Sequence, residues 1–191
     1  AAMVVDSGGF ANAYSSGIRQ GGAFELKQAT WAFKNAKDSP LAASDPAVRA
    51  AIEREDLFAW FKAMPWRPGE SPLRHVPEYE DYLFEQWTHG NFDDYWRQLG
   101  IWARGYYEQL SDVPQVHLSS WYDAYIETAT ENYVALKRLK RGPVRLVMGP
   151  WTHGDRALTW SGDVDFGPRA TIDGNLAAHW REFRLRWFAR W

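Results

Sequence analysis

Asp123 and His153 stand thirty positions apart, each just after a short stretch that reads as a β-strand. A carboxylate and an imidazole so placed can serve as an orienting acid and a proton-carrying base, the last two members of the order Ser, Asp, His in an acyl-transferring triad. Each also has a plainer reading. Asp123 directly precedes a helical pattern, where Asp is a favoured cap, and His153 can be a solvated loop residue. A triad needs a nucleophile on a sharp strand-to-helix turn with small residues two before and two after. Ser15 has Ala13 and Gly17 at those offsets but no strand before it. Ser7 follows a strand and has Gly9 after it, yet Val5 stands where a small residue is needed. Both read as loop residues.

The elements that must position the pair run from Val113 to Gly154. Val113 to Ser119 is a strand opened by Pro114 and closed by Ser119 and Ser120. Ile126, Ala129, Tyr133, Leu136 and Leu139 recur at helical steps, with Glu127 and Glu131 near the start and Lys137, Arg138, Lys140 and Arg141 at the end, where they suit the macrodipole. Gly142 and Pro143 stop that helix. Val144 to Met148 is a nearly all-apolar run of the kind a parallel sheet buries on both faces. Strand, helix, strand of this length predicts parallel strands joined by a right-handed crossover. Asp123 and His153 then fall at the carboxyl edge, where open α/β sheets place their chemistry.

The segments Trp121-Tyr122-Asp123 and Gly149-Pro150-Trp151-Thr152-His153-Gly154 resemble the acid and base loops of the cocaine esterase and X-prolyl dipeptidyl-peptidase group of serine hydrolases. Leu185 to Trp191 resembles the helix that closes the hydrolase core of that group. Ala2 to Val5, followed by Gly21-Gly22-Ala23-Phe24, resembles the strand and loop leading into its helical cap. The resemblance implies an α/β fold: a partial α/β-hydrolase core, its last three parallel strands lying in residues 1–23 and 106–191, with an inserted helical cap at 24–105. It also implies Asp123 and His153 as catalytic residues. The first five strands, the nucleophilic serine, the oxyanion donors and a C-terminal β-sandwich are expected outside this chain, so the segment alone is expected to be inactive. Related amino-ester hydrolases carry extra acids just after the triad Asp, whereas Ala124 and Tyr125 stand here. That departure argues against an α-amino ester and favours an esterase or acylase over a dipeptidyl-peptidase.

Composition narrows the alternatives. The chain has 191 residues and a formal charge of −2, which offers no electrostatic case for nucleic acid or an anionic membrane. Without cysteine there are neither disulfides nor thiolate metal sites. No apolar run has the length of a membrane span. His75, His89, His117, His153 and His179 show no metal-ligand spacing, no phosphate-loop motif occurs, and no cofactor is expected. Twelve Trp, nine Tyr and ten Phe are the one oddity. They fit an aromatic core, with a wide apolar pocket for an acyl or aryl group as the functional alternative.

From Phe24 to about Gly105 the periodicity is helical. Phe24 to Lys34 is one helix. Asp45-Pro46 opens another to about Ala63, Pro77 a third to about Trp87, and Asn91 caps a fourth to Arg104. Such an insertion is too long for a simple crossover and reads as a lid over the strand ends. Trp31, Phe58, Phe61, Trp87 and Tyr95 are candidates for a substrate pocket, joined by Trp121, Tyr122 and Trp151 beside the catalytic pair. The acids Glu78, Glu80, Asp81, Asp93 and Asp94 could bind an amine or mark solvated helix starts. Asp155 to Gly174 reads as loop. Leu176, Trp180, Phe183, Trp187 and Trp191 then form the apolar stripe of a final helix laid on the sheet. The expected partner is a small ester or amide, or a short peptide. Alone, the Ala2 to Val5 strand would present an apolar edge, a site for aggregation or for re-association with the rest of the core, and a homo-oligomer stays open. The rival class is an aromatic-rich binding module without catalysis, in which Asp123 is only a cap. A degenerate hydrolase used as a scaffold is a third reading.

Overall fold

In chain order the computed structural model, which describes residues 1–191, has β1 (Met3–Asp6), α1 (Ala13–Ser16), β2 (Arg19–Gln20), β3 (Ala23–Phe24), α2 (Lys27–Ala36), α3 (Pro40–Ser44), α4 (Pro46–Glu53), α5 (Leu57–Lys62) and α6 (Pro77–Thr88). After two 3-10 segments follow β4 (Gln115–Ser120), α7 (Ile126–Leu139), β5 (Val144–Gly149), the small strands β6 (Trp160–Ser161) and β7 (Val164–Asp165), and α8 (Trp180–Arg190). The architecture is mixed α/β, with a three-stranded parallel sheet and eight α-helices.

The chain divides into two compact units, one made of Ala1–Gly17 and Asp94–Trp191, the other of Ile18–Asp93. The first holds the sheet, in the order β1-β4-β5, both neighbours parallel. Val5 pairs with His117 and His117 with Leu146 in its register. Because strand side chains alternate, the two faces differ. Val4, Val116, Leu118 and Val147 lie with Trp151, Ile172 and the α8 residues Trp180, Phe183 and Trp187. Val144 packs with Leu136 of α7 and with Tyr107 and Leu110. The expected aromatic stripe is thus laid on the sheet in its middle, while its ends, Leu176 and Trp191, stay exposed.

Strand position reverses one expectation from composition. The apolar run Val144 to Met148 is an edge strand, partly solvated, with Arg145 exposed. The mixed sequence Gln115-Val116-His117-Leu118-Ser119-Ser120 is the central strand and is buried at every position.

The Ile18–Asp93 unit is helical around its own core of Ala29, Phe33, Ile52, Leu57, Trp66, Leu73 and Leu83. Asp45 caps α4 as its sequence suggests, accepting hydrogen bonds from the Ala47 and Val48 amides. The single helix expected from Asp45 to Ala63 is two. Asp56 adopts an extended backbone and starts α5 with a cap of its own, accepting from the Phe58 and Ala59 amides. The helix expected over Asn91 to Arg104 is absent. In its place are two 3-10 segments, Asp94–Arg97 and Ala103–Gln109, separated by the turn at Gly100. Trp96 is fully buried and Leu99 exposed, so the apolar spacing there reflects separate contacts and no continuous helical stripe. The stretch Asp155 to Gly174 holds the β6-β7 hairpin as well as loop.

Candidate active site

Asp123 and His153 each follow one of two adjacent parallel strands, β4 and β5, at the carboxyl edge of the sheet. The structure brings them together. His153 Nδ1 lies 3.2 Å from Asp123 Oδ1 and 3.1 Å from Oδ2. The Asp123 side chain is fully buried, whereas that of His153 is 56% exposed. Asp123 also accepts from the Tyr125 amide at 2.8 Å, a local turn contact ahead of α7. The helix cap expected of Asp123 is not formed, because α7 starts after Tyr125 with no side-chain cap, and the carboxylate instead serves the preceding turn and the imidazole. With Asp123 ionised and acceptor-only, Nδ1 carries the proton, leaving the Nε2 lone pair free to take another.

The loop between β5 and His153 is built around Trp151. Its indole is buried and donates from Nε1 to the Ala170 carbonyl at 2.6 Å. Trp121 donates its amide to the Gly149 carbonyl and Tyr122 to that of Trp151, so the acid and base loops are tied through their backbones. Gly149 is required because a Cβ there would strike the Trp151 ring. Gly154, at φ +86°, turns the chain directly after His153. The Tyr125 ring meets the His153 ring edge-on at 5.1 Å.

The aromatic candidates are dispersed. Trp151 is a core residue. Trp121 and Tyr122 are exposed beside Asp123, and Tyr122 rests against Phe166. Trp31 is half-exposed against Tyr79 and Tyr82, and Phe58 is largely exposed. Phe61 stacks on Trp66, and Trp87 packs on Phe24, Trp66 and Phe84 within the helical unit's core. Tyr95 stands edge-on to Trp96. Among the acids, Glu80 is taken up inside the helical unit. It is buried and accepts from Ser71 Oγ at 2.6 Å and the Gly69 amide at 3.0 Å.

Neither candidate serine is hydrogen-bonded to the pair. Ser7, the one non-glycine residue at positive φ (47°), accepts at Oγ from Arg156 at 2.6 Å, and Ser15 Oγ donates to the Asn12 carbonyl. No serine of the chain is hydrogen-bonded to His153, whose bonded partner is Asp123. No group of three or more His, Asp or Glu side chains is arranged to hold a metal ion. Sequence reading overlooks Asp6 and Arg156 as parts of the site. Neither leaves a local signal, since the two lie 150 positions apart.

A parallel sheet carrying an acid–imidazole pair on the carboxyl edge of neighbouring strands defines a hydrolase-like α/β arrangement. Residues 1–155 match the family model of the X-Pro dipeptidyl-peptidase (S15) family, and the chain belongs to that family. Membership implies a function of the serine hydrolase or peptidase type. No curated protein matches the chain.

Proposed function

We propose that this chain supplies the acid, the base and a helical cap of a serine hydrolase that works by acyl transfer. The observation that carries the reading is the contact of His153 Nδ1 with both oxygens of the buried Asp123 carboxylate. Nε2 takes the proton of a serine hydroxyl as that oxygen attacks an ester or amide carbonyl, then returns it to the departing alcohol or amine. Water repeats the cycle on the acyl-enzyme, its proton passing through Nε2 to the serine oxygen. Asp123 holds the ring and stabilises the imidazolium. The nucleophile is assigned to a serine outside these 191 residues, since Ser7 and Ser15 are engaged elsewhere. The Ile18–Asp93 unit, inserted between β1 and β4, is assigned as the cap.

Ester or simple amide substrates are favoured, because Ala124 and Tyr125 offer no carboxylate for a substrate amino group. The family match favours a second reading, release of an X-Pro dipeptide from the amino end of a peptide. In the complete gene product, His153→Ala is expected to cut turnover about 10³-fold or more. Undiminished turnover would end the reading. The ratio of kcat/KM for a p-nitrophenyl ester to that for an X-Pro p-nitroanilide separates the two substrate classes.

A further inference from the structure

His153 hangs from a loop, is more than half exposed and has one hydrogen-bonding residue, so something else must fix its backbone. On its amino side that is Trp151. Three residues beyond it, Arg156 is buried, and its Nη2 reaches across to the carboxyl end of β1, where it pairs with the Asp6 carboxylate and donates to Ser7 Oγ. Its guanidinium lies 5.7 Å from the centre of the Trp151 ring, and its carbonyl accepts from the Ile172 amide. Stability is a poor account of this residue. Arg156 Nε is buried without a partner, which is costly. The carboxyl it pairs with is itself pushed up by burial, against the charges of Arg156 and Arg184.

We propose that Arg156 is a positioning residue for His153, clamping the base loop onto Asp6 and Ser7 at the end of β1 so that the imidazole keeps its register with Asp123. The inference rests on the acid–base reading above. Geometry decides its value, because a displacement of about 1 Å at a catalytic group costs about 10²-fold in rate. The clamp uses one nitrogen for both anchors, so an ammonium should be able to stand in for the guanidinium.

The test reads the His153 tautomer by nitrogen NMR in the 191-residue chain, at about pH 8, where an ordinary imidazole is neutral. In the unaltered chain the Nδ1-protonated form should dominate, and Asp123→Asn should abolish that preference. Arg156→Gln is expected to give a mixture of tautomers, and Arg156→Lys to restore the single form. An unchanged tautomer in Arg156→Gln, with Asp123→Asn altered, overturns the clamp and leaves the acid–base pair standing. An unchanged tautomer in Asp123→Asn overturns the pair and the clamp with it. Should the glutamine variant not fold, Asp6→Asn, which keeps the shape of the anchor and removes its charge, decides by the same readout.

Discussion

His117 sits in the middle of the buried central strand, and burial pushes its imidazole from the ordinary 6.5 down to about 4. Between those values the unfolded chain binds a proton that the folded chain rejects, so stability rises with pH across that window. The contribution is complete above the unfolded value and falls as pH drops towards the folded one, a decline of about 3 kcal/mol at about 1.4 kcal/mol per unit. Urea unfolding at about pH 4.5 and about pH 7 should show a smaller pH dependence in His117→Leu than in the parent, and equal dependences would contradict the assignment. The meeting of Asp123 and His153 is legible, because each follows a strand of one strand–helix–strand unit. That of Arg156 and Asp6 is not, since an ion pair spanning 150 positions leaves no local pattern.

Elements are legible where a local device marks them. Asp45-Pro46 and Pro77 announce helix starts, and the acidic and basic ends of α7 bracket it. Asp56 escapes notice because the apolar positions on either side keep helical spacing through the break. Asp56→Ala should lower the stability of the helical unit by about 1 kcal/mol, read as a shifted urea midpoint; an unmoved midpoint would mean the cap contributes nothing. Burial of strands is less legible, because the order β1-β4-β5, and not hydropathy, decides which strand is central. Gly149→Ala tests how an element end serves the site. The added methyl must displace the Trp151 ring, which should cost about 1–3 kcal/mol and disturb the His153 loop. Tryptophan fluorescence and the His153 ring signals should both change, and retention of both would refute the packing argument.

At the scale of the whole molecule the chain is two units, one of them a continuous insertion in the other. A cap boundary at 24–105 and a unit boundary at Ile18–Asp93 differ at both ends. Composition marks where helical spacing begins, whereas compactness follows packing, which draws β2 and β3 into the helical unit and leaves the 3-10 segments with the sheet. The core of the Ile18–Asp93 unit lies wholly within it, so that segment expressed alone should unfold cooperatively with a helical circular dichroism spectrum. A gradual, non-cooperative melt would show that the unit depends on the rest.

The central claim, that Asp123 and His153 are the acid and base of a serine hydrolase, is tested most directly by intact mass after treatment of the complete gene product with a fluorophosphonate probe. The account predicts a single adduct on a serine outside these 191 residues, lost in His153→Ala. An adduct on Ser7 or Ser15, or labelling that survives His153→Ala undiminished, would contradict it.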